Sequence, residues 1–430
     1  MDFDLNIRYV ESLIQKHRTF RENCLNLIAS ENTPSPLVER LITEDLDRRY
    51  GYYSGIDPRM QTYQGSGFVA EIEVFAQELA KALFGAGFVE FRPLSGNLAG
   101  MIAVFALGSP GDTVLEAQNG HRYAEKLASS ALNVDLRPVP IPWDGVRFNV
   151  DLDRTVSLIR KHRPKIVSIG SSTFLFPLPV RELKEAMEKY APGSYLIYDA
   201  AHVMGLIAGG RFQSPLQEGA DVVITSTHKT LAGPQGGMVL ANDRSIAERI
   251  GSATSPLMIA NHHLGRLPAL AGTFLEWMAC GEAHADAIIG NAKALGRALC
   301  ARGIPVVGAR LGITASHMLL PIVDAFGEGK AIADRLEACH IIAGAAGIPE
   351  ELGRHGLRIG VQEVTRYGMT EADAPEVADC IADVLNQRDA EGVKDRAIAL
   401  GRRFKRVRFT MGTGPDDPSR PDTFELDSEG

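Results

Sequence analysis

From about residue 68 to residue 250, apolar runs alternate with amphipathic ones. FVAEIEVFAQELAKALFG, LDRTVSLIRKHR and RELKEAMEKYA carry apolar residues at helical spacing, whereas TVLEA, KIVSIGSS, SYLIYDAAH, DVVITSTHK and GGMVLAN are short, nearly continuous apolar runs that predict strands. Helices alternating with such strands predict an α/β fold with a large, doubly wound, mostly parallel sheet. Strands that are apolar throughout and end in polar residues suit a sheet covered on both faces, with chemistry at the carboxyl ends. FRPLSGNLAGMIAVFALG reads as one more short strand, a turn and a helix. After residue 270 a long helical pattern, FLEWMACGEAHADAIIGNAKALGRALCARG, leads to strand candidates HMLLPIV and GLRIGV in a smaller αβ region. The predicted division is an N-terminal arm (1–45), a large domain (46–270), a small C-terminal domain (271–408) and a flexible tail (409–430) rich in proline, glycine and acids.

The remaining composition narrows the function. A chain of 430 residues that is 45% hydrophobic has enough apolar material for two sizeable cores. Its net charge of -8 is spread along the chain with no basic block to follow a phosphate backbone, so nucleic acid is not an expected partner. No segment reaches ~18 uninterrupted apolar residues, and the start lacks a signal-peptide core, so no membrane partner is expected. Cys24, Cys280, Cys300, Cys339 and Cys380 are widely spaced and lack disulfide or zinc spacing, which predicts reduced thiols, a cytoplasmic location and no metal.

Three motifs carry candidate chemistry. DVVITSTHKTLAGPQGG sets Lys229 just beyond an apolar strand, where a charge is costly. A desolvated lysine there is a nucleophile that an aldehyde cofactor captures as a Schiff base; the alternative is a side chain reaching solvent. LIYDAAHVMG sets Asp199 and His202 at another strand end, where a carboxylate either caps the next turn or holds a pyridinium nitrogen protonated. Ser95, Gly96 and Asn97 open a helix whose free N–H groups suit a phosphate, although an ordinary N-cap has the same composition. In order along one sheet, the three form a phosphate cradle, a ring-nitrogen partner and a lysine.

With these motifs the chain resembles the serine hydroxymethyltransferase family of fold-type-I pyridoxal phosphate enzymes, archaeal-type members in particular. The resemblance runs through LIASEN, YQG, LSGNLA, NGH, FPLPV, DAAHVMGLIAGG, STHKTLAGPQGG, NHHL and LRIGVQEVTRYGM. It implies pyridoxal 5'-phosphate as cofactor, Lys229 as the Schiff-base lysine and Asp199 on the pyridine nitrogen. It implies His121 stacked on the ring, with His202 and either Ser172 or Thr173 near the phenolic oxygen. Ser95, Gly96, Asn97, Ser226 and His228 would surround the phosphate, and Ser30 and Arg358 would hold the substrate carboxylate. A homodimer with shared active sites is implied, Asn261, His262 and His263 and also Tyr50 reaching a partner's cofactor.

RRYGYYSGIDPRMQTYQG departs from the family. Tyr50 and Tyr63 match the family's two tyrosines, but the glutamate that serves folate chemistry is missing. Counting forward puts Tyr52 in its place, counting back puts Gly55, and Asp57 is a candidate for a displaced carboxylate. A phenol of pKa ~10 does not replace a carboxyl of pKa ~4 in proton transfer at neutral pH. Arg122 stands where the family has a leucine against the pterin, and AGAAGIP replaces an asparagine-bearing folate loop. The tyrosines are therefore expected to line the site's mouth, with Tyr63 on the substrate, Tyr52 a specificity change, and Tyr53 either there or in the packing. These departures count against tetrahydrofolate and favour an aldolase or transaldolase acting on small hydroxy amino acids and aldehydes. The alternatives are a folate-dependent serine hydroxymethyltransferase and an inactive cofactor-binding homologue.

Overall fold

A computed structural model of the chain describes residues 3–412. Its central sheet has seven strands: β1 (Phe88–Glu90), β2 (Asp112–Ala117), β3 (Leu136–Ile141), β4 (Ile166–Gly170), β5 (Tyr195–Asp199), β6 (Val222–Ser226) and β7 (Gly237–Ala241). Their order is β1-β7-β6-β5-β4-β2-β3. Neighbours pair in parallel except β7, which runs antiparallel to both β1 and β6. Successive strand residues enter opposite cores: Val167, Leu196, Tyr198 and Val223 pack on one face, and Ile166, Ile197, Val222 and Ile224 on the other. Burial on both faces explains why these strands read as continuous apolar runs.

Two sheet edges differ from the sequence expectation. The strand before Ser95 is FVE, ending at Glu90, and FRPL continues as irregular chain. LRPVPI has no strand-like pattern, yet it forms β3 at the sheet edge, where Pro138 and Pro140 need no partner for their missing N–H groups.

Helix α1 (Phe3–Glu22) leads into Leu25–Asn26, which pairs in parallel with Ile341–Ile342. Helix α2 (Gly67–Phe84) ends at Gly85, whose φ of 62° is the left-handed C-cap that glycine tolerates best. Helix α3 (Gly96–Leu107) follows Ser95, and helix α4 (Leu267–Ala301) links the main sheet to the C-terminal region. That region holds an antiparallel sheet of β8 (Met318–Leu319), β9 (Gly344–Gly347) and β10 (His355–Gly360), in the order β8-β10-β9. AGAAGIP is thus an edge strand rather than a loop, with Gly344 opposite Arg358.

The start of the expected tail is fixed in place. Arg366 and Glu276 form a buried ion pair at 2.9 Å, and Glu276 also accepts hydrogen bonds from Thr410 Oγ1 and the Met411 N–H. Arg366 donates to the Phe409 carbonyl, and the Phe409 ring stacks on His284 at 4.6 Å. A docked segment therefore replaces the first residues of the flexible tail, and residues 413–430 lie outside the described residues. No described helix is long and apolar enough to cross a membrane.

Candidate active site

The chain leaves β6 at Ser226 and returns at Gly237, its pairing partner across the strands. The loop between is closed at its base, with Thr227 N–H donating to the Gly236 carbonyl at 3.0 Å and Gly233 N–H to the Thr227 carbonyl at 2.9 Å. Thr230 Oγ1 ties it to the next strand end, donating to the His202 carbonyl at 2.9 Å and accepting from Gly205 N–H at 3.1 Å. Lys229 sits in this loop. Burial lowers its pKa from 10.5, the Asp199 carboxylate opposes the shift, and the Arg358 charge adds to it.

Asp199 ends β5 and is 5% exposed. Its Oδ1 accepts from Ala201 N–H at 3.0 Å and its Oδ2 from the Tyr123 hydroxyl at 2.7 Å. Gly170, at φ 137°, pairs with Asp199 in β4, and a Cβ there would stand 2.6 Å from that of Asp199, so only glycine lets the strands meet. His121 Nε2 lies 3.9 Å from Asp199 Oδ2, its ring stacked on Tyr123 at 5.8 Å. Burial lowers the His121 pKa. Tyr123 carries no signal in the sequence beyond lying two residues after His121.

Ser95 is the N-cap of α3, its Oγ accepting from Leu98 N–H at 3.1 Å while its own proton stays free to donate. Gly96 packs on β6 so closely that a Cβ would lie 3.0 Å from the Ser226 nitrogen. Ser226 Oγ faces the Ala201 carbonyl at 3.3 Å, and His228 follows with a buried Nδ1 that has no partner. Asn97 is exposed at the helix start, its Oδ1 held by Lys126 Nζ at 2.6 Å.

Arg358, on β10, reaches the main sheet and donates from Nη1 to the Ser172 carbonyl at 3.1 Å. Thr173 Oγ1 lies 3.0 Å from Ser171 Oγ beside it. His202 is buried with Nδ1 unpartnered and stacks on His317 at 6.0 Å. His317 Nε2 in turn lies 3.0 Å from the Ala29 carbonyl, next to Ser30. Nothing in the sequence singles out His317, because its partners come from two distant segments.

Burial pushes the pKa of His317 down to about 3 and that of His228 to about 4, and takes His202 well below its ordinary 6.5. These imidazoles are neutral at pH 7. The charges of Lys229 and Arg358 bear on His202 and His317, those of Lys229 and Arg266 on His228, and Asp199 is the carboxylate coupled to Lys229. Such an excess of positive charge, with orphaned imidazole nitrogens and a helix N-terminus, suits a ligand carrying several negative charges.

The family model for serine hydroxymethyltransferase matches residues 4–381. The chain belongs to the serine hydroxymethyltransferase family. It is 39% identical over 421 residues to the serine hydroxymethyltransferase of Methanopyrus kandleri, covering 95% of this chain and 96% of that one. That of Saccharolobus islandicus is 37% identical over 420 residues, with 96% of each chain covered. Among solved structures, an L-threonine transaldolase from Pseudomonas fluorescens in its internal aldimine state superposes with a TM-score of 0.88. It is 27% identical, and the match covers 95% of this chain and 94% of that one. The protein is thus a pyridoxal phosphate enzyme of the serine hydroxymethyltransferase-like type, acting on the Cα–Cβ bond of small substrates. The residues fit that cofactor: an anion-seeking cradle at Ser95 and Gly96, a lysine in a closed loop, and a carboxylate held at a strand end.

The tyrosine-rich segment interleaves buried and exposed positions. Tyr53 is 1% exposed; its hydroxyl donates to Glu73 Oε1 at 2.8 Å, and the Arg92 guanidinium lies 4.0 Å above its ring. It is a core tyrosine, not part of the site's mouth. Tyr50 and Tyr63 are exposed, their rings 4.8 Å apart. Tyr52 is half-buried, its N–H donating to Gln61 Oε1 at 2.9 Å and its carbonyl accepting from Thr62 N–H at 3.0 Å. Gly51 bridges to His262, and its N–H donates to Asn261 Oδ1 at 2.8 Å. His262 itself is buried against Glu73 at 3.3 Å, whereas Asn261 and His263 are exposed. Asp57 caps the turn Pro58–Met60, accepting from Arg59 N–H at 3.0 Å and from Arg59 Nη1 at 3.4 Å. Arg122 extends to Glu125 at 3.0 Å.

Proposed function

We propose that this enzyme cleaves or exchanges the Cα–Cβ bond of a β-hydroxy amino acid of the serine, threonine or α-methylserine kind without tetrahydrofolate, as an aldolase or transaldolase. The observation that carries the reading is Asp57. The carboxylate best placed in sequence to replace the missing glutamate is committed to capping a turn and to Arg59, and the nearer alternative, Tyr52, is a phenol. The likeness to an L-threonine transaldolase supports the same conclusion. The names of the Methanopyrus and Saccharolobus relatives favour a second reading, a folate-dependent serine hydroxymethyltransferase.

In this account Lys229 holds the cofactor, Asp199 keeps the ring nitrogen protonated, and His121 stacks on the ring. His202 and Thr173 flank the phenolic oxygen. Ser95, Gly96, Asn97, Ser226 and His228 receive the phosphate, joined by Tyr50 of a second subunit. Arg358 commits one nitrogen to the Ser172 carbonyl, which leaves the rest of its fork, with Ser30, for the substrate carboxylate. When bound, the cofactor supplies the electron sink for the pair left at Cα. As the Cα–Cβ bond breaks, the hydroxyl oxygen forms the aldehyde carbonyl and its proton must be accepted. A neutral His121, its pKa lowered by burial, presents a nitrogen for that proton, and Tyr63 and Tyr52 orient the departing fragment.

The exposed Tyr50 and Tyr63, together with Ile7, Tyr9, Val10, Leu13 and Ile14 exposed along α1, support a homodimer with shared sites. The five cysteines are free thiols, in keeping with a cytoplasmic enzyme. The deciding experiment is glycine release from L-serine, L-threonine and α-methylserine, each with and without tetrahydrofolate. Equal release without folate is the expected result; serine turnover that requires folate would move the assignment to the second reading.

A further inference from the structure

Arg266, at the N-terminus of α4, is 6% exposed. Its Nη1 donates to the Pro93 carbonyl at 3.2 Å and its Nη2 to the Gly237 carbonyl at 3.1 Å, while Nε has no partner. Among the described residues it forms no ion pair, and Glu73 is the one carboxylate whose field reaches it. Glu73 is already served by the Tyr53 hydroxyl and His262. Burial lowers the guanidinium pKa to about 10, so the group is still a cation at neutral pH. A buried cation without a paired anion is strongly destabilising unless a ligand brings one.

The location says which ligand. Pro93 lies two residues before Ser95, and its carbonyl also accepts from the Gly237 N–H at 2.8 Å. Gly237 in turn packs against the Ser95 carbonyl with no room for a side chain. The charge of Arg266 contributes to the low pKa of His228. The guanidinium therefore lies directly behind the Ser95–Gly96 turn and His228.

We propose that Arg266 is the fixed counter-charge of the cofactor phosphate, acting as a positioning residue through the Ser95 turn and His228 rather than by direct contact. This rests on the cofactor placement proposed above. It accounts for a cation being kept where an apolar side chain would otherwise pack, and it assigns the phosphate to a dianionic form.

The test compares pyridoxal 5'-phosphate with pyridoxal, which lacks the phosphate, in equilibrium titrations of wild type, R266M and R266K. R266M is expected to bind pyridoxal phosphate at least about tenfold more weakly, with pyridoxal unchanged. R266K should stay within a few-fold of wild type. Phosphorus NMR of the holoenzymes supplies a second readout: the wild-type resonance is expected to stay at the dianion position below pH 6, and that of R266M to titrate near the ordinary second pKa of about 6. Equal losses for both ligands, or identical phosphorus titrations, would overturn the proposal in favour of a structural arginine. If R266M does not fold, R266K decides alone: a folded R266K without preference for the phosphorylated ligand removes the charge argument. E73Q tests the rival partner of Arg266 and is expected to leave that preference intact; a strong rise in the preference would show that Glu73, not the phosphate, neutralises Arg266 in the wild type. S95A isolates the underlying placement. A preference for the phosphorylated ligand that survives S95A undamaged refutes the cradle itself, whatever Arg266 does.

Discussion

The hydroxyl of Tyr123 donates to Asp199 Oδ2 across 2.7 Å, joining residues 76 apart in the chain at the carboxyl end of β5. Burial and the neighbouring carboxylate hold the phenol pKa well above 10, so the group stays a donor throughout the working range. Tyr123→Phe removes a hydrogen bond to a charged group, worth about 1.5–3 kcal/mol. The expected result is a fall in kcat of about tenfold to a hundredfold, with a shifted pH dependence of the cofactor absorbance. Stopped-flow spectra of Tyr123→Phe beside Asp199→Asn check it, the latter being the more damaged.

Asp57→Asn keeps an N-cap acceptor and removes the acid. Turnover is expected to stay within about twofold of wild type, because asparagine caps as well as aspartate. Asp57→Ala should lower the unfolding free energy by about 1 kcal/mol while leaving kcat in place. A large loss of serine turnover in Asp57→Asn, measured with folate present, would instead identify Asp57 as an acid/base group.

The buried pair of Glu276 and Arg366 invites a stability test. Glu276→Ala leaves the guanidinium unpaired and releases Thr410 and Met411, so urea unfolding should show a loss of about 3–5 kcal/mol. Limited proteolysis should then cut before residue 409 sooner than in wild type.

His317 gives the fold a pH dependence of definite sign. Its pKa is about 3 in the folded chain against the ordinary 6.5 of an unfolded one, so between those values the unfolded chain binds a proton that the folded one refuses. Stability is therefore full above pH 6.5 and falls as pH drops toward 3, by up to about 1.4 kcal/mol per pH unit for this group alone. His317→Asn should flatten that limb of the urea midpoint plotted against pH.

The positions proposed for the cofactor were legible as element ends in the sequence because each is local. Ser95 opens a helix, Asp199 ends an apolar run and Lys229 follows another, so period and punctuation alone locate them. Tyr123, His317 and Arg266 were not legible, since each matters through a partner elsewhere: Asp199, the Ala29 carbonyl, and the Pro93 and Gly237 carbonyls. The tyrosine cluster was ambiguous for a related reason. The Glu73 carboxylate, twenty residues onward, and the Arg92 guanidinium over its ring set the buried Tyr53 apart from the exposed Tyr50 and Tyr63. The β3 strand was hidden because prolines erase a strand signature that an edge position does not need.

The loop between Ser226 and Gly237 is closed by the sheet itself, so the backbone around Lys229, the proposed Schiff-base residue, is ordered by the fold. With Lys229 in its proposed role, an enzyme built this way meets each new cofactor molecule with that lysine's backbone already in place. Recharging after a cofactor is lost then depends on encounter with the vitamin, not on rebuilding the protein around it.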